Sequence, residues 1–258
     1  MPFAKNPIDG CRIHYEDDGG HGPPVVLLNG LGDPIAASRA WGVAHALASS
    51  CRLIFIDQRG HGNSDKPHES ASYATRLCVA DVVAVLDTLG VEKANLIGLS
   101  WGARLLFAFA EQETHRVLSL TLAGQSPYAF RPDSAGVQAV SRAFSEGRRM
   151  SDFVEALGGF GGMDEATKRW TLENDFEALR AAWTAAIEEG DVAQSLRAWN
   201  FPCLVYAGSE DVDFYEDARR AASEIPGATF MTLQGQGHLE AHGNVDNVLP
   251  QIRNLILG

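Results

Sequence analysis

Long apolar runs, basic clusters and paired cysteines are absent from this chain. No stretch approaches the roughly 18 uninterrupted apolar residues of a membrane span, and the N-terminus lacks the apolar segment and cleavage site of a secretory signal. None of the four cysteines forms a Cys-x-x-Cys pair, which leaves zinc-ribbon and thioredoxin-type sites without support. We therefore expect a cytoplasmic protein with free thiols, no membrane contact and no bound metal.

Positive charge is also scarce. The chain has 21 Lys and Arg residues against 33 Asp and Glu residues, and its formal net charge is −12. Its basic runs are no longer than pairs such as Arg148-Arg149. This charge balance repels a phosphate backbone, so nucleic acid is a poor candidate for a partner. A small molecule is the expected partner, and no feature of the sequence indicates an oligomeric state.

Short apolar runs alternate with helical patterns along most of the 258 residues, 45% of which are hydrophobic. The runs are Val25–Leu28, Arg52–Ile56, Asn95–Leu99, Val117–Leu122, Cys203–Ala207 and Thr229–Leu233. Helical patterns between them include a candidate helix over Ala36–Ala48. Such alternation predicts βαβ units and an α/β fold with a mostly parallel, doubly wound sheet. The Asp9-Gly10 turn pair predicts an initial hairpin between Pro2–Pro7 and Arg12–Tyr15.

The alternation stops between residues 125 and 200, where the sequence contains no convincing strand pattern. Four short helices are expected there instead, over Ala135–Glu146, Ser151–Ala156, Asp164–Thr171 and Phe176–Glu189. We interpret this stretch as a small helical cap inserted into one α/β core. Residues 1–124 and 201–258 then supply the two parts of the core, and residues 125–200 supply the cap.

The segment Gly98-Leu99-Ser100-Trp101-Gly102 stands where a predicted strand ends and a helix begins. A serine in such a sharp turn is exposed on a strained backbone, and the flanking glycines avoid collisions with neighbouring strands. The helix N-terminus adds free N–H groups that stabilise charge developing on an oxygen. A serine that merely caps the helix is the alternative. The strand–helix junction favours Ser100 as a nucleophile.

With this turn in place, the chain resembles the α/β-hydrolase family over nearly its whole length, and its size and layout are similar to the family's enol-lactone hydrolases. Asn29-Gly30-Leu31-Gly32 resembles the family's oxyanion loop, although members commonly have histidine where Asn29 stands. The resemblance implies that the N–H groups of Leu31 and Trp101 form an oxyanion hole. The segment 57–65 closely resembles the Asp-x-Arg-Gly-x-Gly-x-Ser motif of many members, which implies a structural role, with His61 as a weaker alternative for the base.

The resemblance also implies an acid and a base late in the chain, each after one of the last two apolar runs. The acid position, three residues after the glycine that follows the fifth run, falls on Asp211. Glu210 and Asp213 remain alternatives for it. The Gly-x-Gly-His loop after the sixth run makes His238 the base, with His242 as its alternative. A serine hydroxyl needs such a base, and the base needs a group that orients it.

The resemblance implies acyl transfer without a metal or organic cofactor, in which Ser100, deprotonated by His238, attacks a carbonyl carbon. A serine at this turn argues against haloalkane dehalogenases and epoxide hydrolases, which use a carboxylate nucleophile in this fold. The short insertion favours a small carboxylic ester or lactone as substrate. The alternatives are a proline iminopeptidase-like enzyme, a carbon–carbon bond hydrolase, and a small-ligand receptor that keeps the fold.

Two features leave substrate binding open. The large apolar and aromatic residues of the insertion include Tyr128, Phe130, Phe144, Phe153, Leu157, Phe160, Met163, Trp170, Phe176 and Trp183. They line an acyl pocket or, as we expect for most of them, form the core of the insertion. Arg104 either binds a substrate carboxylate or, as we favour, pairs with a nearby acidic side chain.

Overall fold

An eight-stranded sheet forms the centre of the computed structural model, which describes residues 2–157, 159, 164–243 and 245–258. The strands are β1 (Phe3–Lys5), β2 (Arg12–Asp17), β3 (Pro24–Leu28), β4 (Arg52–Ile56), β5 (Ala94–Leu99), β6 (Val117–Ala123), β7 (Cys203–Gly208) and β8 (Thr229–Leu233). Their order across the sheet is β1-β2-β4-β3-β5-β6-β7-β8. β2 runs antiparallel to both of its neighbours, and the other pairs are parallel. The predicted hairpin and the mostly parallel α/β sheet are confirmed.

Helices flank both faces of this sheet. The α-helices are α1 (Ile35–Ala40), α2 (Gly42–Leu47), α3 (Thr75–Thr88), α4 (Trp101–Gln112), α5 (Ala135–Glu146), α6 (Met150–Ala156), α7 (Glu165–Glu173), α8 (Phe176–Glu188), α9 (Tyr215–Glu224), α10 (His238–Gly243) and α11 (Val245–Leu257). In the described part of the chain, no helix is long and apolar enough to cross a membrane.

Alternate residues of the central strands face opposite helical layers. On β3, Val26 and Leu28 pack in the cluster that contains α3 and α4, whereas Val25 and Leu27 pack in the cluster that contains α2 and α11. All four side chains are at most 1% exposed. Burial on both faces explains why these strands are continuous apolar runs rather than alternating ones.

The helix expected over Ala36–Ala48 is wrong as a single element, because it breaks at Trp41. Trp41 has extended dihedrals, with φ −73° and ψ 127°, and it separates α1 from α2. Its indole N–H donates to the carbonyl of His242 at 3.0 Å. This partner lies near the other end of the chain, so the local pattern does not predict the break.

Four helices, α5 to α8, lie between β6 and β7, and the described residues of this segment form no strand. Ser134, Asp164 and Asp175 cap three of the helices by accepting hydrogen bonds from backbone N–H groups of the first turn. The segment has a hydrophobic cluster of its own, formed by Val137, Phe144, Met150, Phe176, Leu179 and Trp183. Leu31 and Trp101 pack against this cluster, so the helical segment touches the loops that begin beyond β3 and β5.

Candidate active site

Four parallel strands end at one edge of the sheet, and their ends bring the predicted site residues together. Leu28 at the end of β3 pairs with Gly98 in β5, and Gly208 at the end of β7 pairs with Leu233 at the end of β8. The segments that follow these strands carry Leu31, Ser100, Asp211 and His238.

Ser100 joins β5 to α4 in a conformation that few residues with a side chain adopt. Its φ is 46° and its ψ is −111°, and among the described residues no other non-glycine residue has a positive φ. Its N–H donates to the carbonyl of Ala123 at 2.8 Å, and its carbonyl accepts from the N–H of Arg104 at 3.0 Å. These two bonds hold the strained turn between the sheet and the first turn of the helix.

The glycines of the turn let its two arms approach their neighbours. A Cβ atom on Gly102 would lie 2.5 Å from the carbonyl oxygen of Leu28 and 2.7 Å from that of Asn29. A Cβ atom on Gly98 would lie 2.7 Å from the backbone nitrogen of Ala103. The expected collision with a neighbouring strand is therefore found at Gly102, whereas at Gly98 the obstacle is the start of α4 itself.

His238 links Ser100 to Asp211. Its Nε2 lies 2.9 Å from Ser100 Oγ, and its Nδ1 lies 2.7 Å from Asp211 Oδ2. The Asp211 side chain is 2% exposed, and its other oxygen accepts from the N–H of Phe214 at 3.2 Å. A carboxylate at Nδ1 keeps the proton on that nitrogen and leaves the lone pair of Nε2 directed at the serine. The arrangement can therefore accept the hydroxyl proton of Ser100.

The two alternatives for the acid occupy other places. The Glu210 side chain is exposed to solvent. Asp213 accepts hydrogen bonds from the hydroxyl of Ser134 and from the N–H of Gly136, both at the start of α5. Of the three acidic residues in this loop, Asp211 is the one that contacts the histidine.

His242, the alternative base, packs against His238 instead of reaching Ser100. The two ring centroids are 4.6 Å apart and the rings are nearly perpendicular. Burial and the neighbouring His238 lower the pKa of His242 to about 3, so His242 is neutral at physiological pH. Gly124 faces both rings, and a Cβ atom there would lie 2.8 Å from His242 Nε2 and 3.2 Å from His238 Cε1. Sequence reasoning missed Gly124, which only the order β5-β6-β7 places beside the histidines.

The loop after β3 is braced through Asn29, at the position where histidine was expected from the resemblance. The Asn29 side chain donates to the carbonyl of Pro34 at 2.8 Å and accepts from the hydroxyl of Ser38 at 2.6 Å. Its carbonyl accepts from the N–H of Gly102 at 2.9 Å, which joins this loop to the nucleophile turn.

Within the described residues, no acceptor is recorded for the backbone N–H of Leu31 or of Trp101. Both donors, which follow the ends of β3 and β5, are therefore free to bind an oxygen of a ligand.

The segment 57–65 binds residues of β2 and of α1 through Asp57. Asp57 accepts from the N–H groups of Ile35 at 2.7 Å and Asn63 at 2.9 Å, and it lies 2.7 Å from His14 Nδ1. His61 is fully buried, its Nδ1 lies 2.9 Å from a backbone carbonyl, and burial lowers its pKa. His61 has no recorded bond to Ser100, which is held by His238.

Arg104 binds backbone carbonyls near both ends of the helical segment. Its guanidinium donates to the carbonyl of Tyr128 at 2.7 Å and to that of Gly190 at 3.1 Å, and it lies over the ring of Phe130. Burial lowers the pKa of Arg104 to about 10, which leaves it charged at physiological pH. Among the described residues Arg104 forms no ion pair within 4 Å, so the expected direct pairing is not found, although Glu189 and Asp191 lie near enough to raise the pKa of Arg104 against the effect of burial.

Asn174, between α7 and α8, connects the helical segment to the loop after β3. Its side-chain amide donates to the carbonyl of Gly32 at 2.7 Å. Gly32 is the residue directly after Leu31, so this bond fixes the backbone beside one of the two free N–H donors. No sequence pattern predicted this contact.

The apolar residues of the insertion divide as expected, with most of those described inside its own core. Phe144, Phe176 and Trp183 are buried in the cluster, and Phe130 and Phe153 pack against it. Leu157 is exposed, Trp170 is half-buried, and Tyr128 packs on the main core. Phe160 and Met163 lie outside the described residues. The indole of Trp101, next to the nucleophile, stacks on Trp183, which brings the cluster to the site.

Comparisons with known proteins identify the family and the fold of this chain. The profile of the alpha/beta hydrolase fold family matches residues 23–157. The chain is 31% identical to a 2-hydroxymuconate semialdehyde hydrolase of Pseudomonas sp. (strain CF600) over 216 residues, which are 78% of this chain and 75% of that protein. An esterase of Thermogutta terrifontis is 26% identical with a TM-score of 0.78 and covers 98% of this chain and 96% of its own. An enol-lactonase of Burkholderia xenovorans LB400 shares the fold, with a TM-score of 0.82, 24% identity and complete coverage of both chains.

Proposed function

The chain belongs to the α/β-hydrolase fold family, and from this premise we propose that it hydrolyses small carboxylic esters or lactones through an acyl-enzyme on Ser100. The observation that carries the proposal is the continuous chain of contacts from Ser100 Oγ to His238 Nε2 and from His238 Nδ1 to Asp211, at 2.9 Å and 2.7 Å. A nucleophile, a base and an orienting acid in this geometry suit acyl transfer.

In the first half of the reaction, Ser100 Oγ attacks the carbonyl carbon while His238 Nε2 takes the hydroxyl proton. The carbonyl oxygen becomes an oxyanion and accepts hydrogen bonds from the N–H groups of Leu31 and Trp101. Asp211 stabilises the imidazolium that forms. His238 then gives its proton to the leaving alkoxide, and the acyl group remains on Ser100.

In the second half, a water molecule gives a proton to His238 and attacks the acyl carbon through the same oxyanion. Collapse of this intermediate releases the carboxylic acid and returns the proton to Ser100 Oγ. When the substrate is a lactone, the alcohol and the acid leave as one molecule.

We also propose that residues 125–200 act as a cap that limits the size of the substrate. The aromatic cluster of the cap touches Trp101 and Leu31, so its core closes the space beside the nucleophile. This crowding favours short acyl chains over long ones. A cytoplasmic location, an absence of cofactors and a small-molecule partner stay predictions of the sequence.

Hydrolysis of a carbon–carbon bond is the second candidate function, because of the 31% identity to the semialdehyde hydrolase. A small-ligand receptor on the same fold is the candidate from another class. Neither needs a different arrangement of Ser100 and His238, so activity measurements must separate the three.

The test is a series of p-nitrophenyl esters of increasing acyl length, measured beside simple lactones and one carbon–carbon hydrolase substrate. Wild-type protein is expected to turn over the short esters or the lactones, and a fluorophosphonate is expected to label Ser100. The Ser100→Ala variant is the control. Activity that survives in Ser100→Ala contradicts the mechanism, and labelling of Ser100 without turnover of any substrate favours the receptor.

A further inference from the structure

A carboxylate lies near the nucleophile, and the proposed reaction gives it no role. Asp33 follows the loop after β3, and its N–H donates to the carbonyl of Gly30 at 3.2 Å, which turns the chain back over that glycine. A Cβ atom on Gly30 would lie 3.1 Å from Asp33 Oδ2 and 3.9 Å from Ser100 Cβ. Both groups therefore lie within 4 Å of the point where a Cβ atom of Gly30 would stand, which places Asp33 Oδ2 at most about 7 Å from Ser100 Cβ.

The side chain of Asp33 has no recorded partner among the residues that the structure describes. Other carboxylates near the site are satisfied: Asp57 accepts from Ile35 and Asn63, and Asp211 contacts His238. Within residues 2–157, 159, 164–243 and 245–258, no comparable hydrogen bond or ion pair is found for Asp33, although its two oxygens can accept up to four hydrogen bonds. The oxygens of this exposed carboxylate are therefore available to water or to a ligand.

Solvent reaches the side chain of Asp33, but protein surrounds it. The side chain is exposed by its accessible surface, yet desolvation raises the pKa of its carboxyl to about 6. Both observations hold for a group that faces a concave, protein-walled space rather than open solvent. A substrate carbonyl that approaches Ser100 from this space brings its substituents close to Asp33.

We propose that Asp33 is a specificity residue, which accepts a hydrogen bond from a hydroxyl, amide or ammonium group that the ester or lactone substrate carries near its scissile carbonyl. The inference rests on the proposed function and narrows its substrate class. It follows that substrates with a negative charge at the same position are disfavoured, because an unpaired carboxylate repels them.

Three matched pairs of esters test the proposal. The first pair is 2-hydroxyethyl acetate and 2-methoxyethyl acetate, with the donor in the alcohol part. The second is methyl 2-hydroxypropanoate and methyl 2-methoxypropanoate, with the donor in the acyl part. The third is 2-(dimethylamino)ethyl acetate, which is protonated at neutral pH, and the uncharged 3-methylbutyl acetate. The ratio of kcat/KM within each pair is measured by acid release at constant pH.

Wild-type protein is expected to favour the donor-bearing member of at least one pair by about tenfold or more, since a hydrogen bond to a charged group is involved. Asp33→Leu, which lacks an acceptor, is expected to bring that ratio close to one, and Asp33→Asn is expected to lie between. Asp87→Leu is the matched control, because Asp87 pairs with Arg116 near the opposite edge of the sheet, and it should keep the wild-type ratio.

Ratios that are equal in wild type and in both Asp33 variants overturn the proposal. A uniform loss of activity on all six esters with unchanged ratios also overturns it, because Asp33 would then only support the loop. Fluorophosphonate labelling of Ser100 in each variant reports whether the nucleophile is intact, and Asp33→Asn replaces Asp33→Leu if the latter does not fold. If wild type hydrolyses none of the six esters, calorimetric binding of the same pairs tests Asp33 by the same ratios. The proposed function itself fails only if the p-nitrophenyl esters and the lactones are not hydrolysed either.

Discussion

Replacing Ser100 by glycine is expected to abolish hydrolysis and to stabilise the fold relative to Ser100→Ala. The backbone at this position has φ 46° and ψ −111°, a region that residues with a Cβ atom rarely occupy. Strain of this kind costs about 1–3 kcal/mol. Glycine removes it but gains about 0.4–1 kcal/mol of freedom in the unfolded chain. The net gain is about 1 kcal/mol, which corresponds to a rise in Tm of about 2–4 °C for a chain of this size.

Thermal unfolding of the two variants measures this difference directly. Both lack the hydroxyl, so the lost hydrogen bond to His238 cancels between them. Ala80→Gly in α3 is the control for the same chemical change on relaxed helical backbone, and it should lower stability by about 1 kcal/mol. A Tm for Ser100→Gly at or below that of Ser100→Ala would refute the idea that the nucleophile turn stores strain.

Three further predictions concern the loop after β3, the helical segment and Asp33. Asn174→Leu removes the donor to the Gly32 carbonyl, a hydrogen bond worth about 1 kcal/mol. Because the loop after β3 becomes looser, kcat on p-nitrophenyl acetate should fall about fivefold. A lower Tm with an unchanged kcat would contradict a role of this bond in positioning the loop. Arg104→Met removes both hydrogen bonds to the ends of the helical segment and should speed limited proteolysis within residues 125–200. Equal cleavage rates in Arg104→Met and wild type would contradict the idea that Arg104 holds these ends in place. Because desolvation by the surrounding protein raises the pKa of Asp33 to about 6, its ionisation lowers stability as pH rises from about 4 through 6. Asp33→Asn should therefore raise Tm at pH 8 but not at pH 3.5, and a difference that is independent of pH would contradict this sign.

The strands of the sheet were predictable from the sequence because a strand that is buried on both faces needs apolar residues at successive positions. Val25–Leu28 and Arg52–Ile56 are found as strands almost to the residue. The predicted site residues come together for a related reason, since loops that follow parallel strands meet at one edge. Ser100, Asp211 and His238 are joined in space although 138 residues separate the first from the last.

Contacts between distant loops could not be predicted, because neither partner carries a local signature of the other. The bond from Trp41 to His242 breaks a helix that periodicity alone would continue. Arg104 donates hydrogen bonds to two backbone carbonyls. Every residue has such a carbonyl, so the side-chain pattern of the sequence does not indicate which ones Arg104 binds. The position of Asp33 over Gly30 depends on a turn that the sequence suggests only as a glycine-rich loop.

Gly124 takes no part in the reaction, yet its position restricts which substitutions this protein can accept. Its φ of 58° is strained for any residue with a Cβ atom. The two imidazoles that face it also leave no room for a methyl group. In a library of random variants selected for turnover, every substitution at residue 124 should be depleted as strongly as those at the nucleophile. The depleted variants would still carry the complete set of reacting groups, so a screen that reads loss of activity as loss of a reacting group would misassign this position. An engineer who wants to reshape the site should therefore treat residue 124 as fixed.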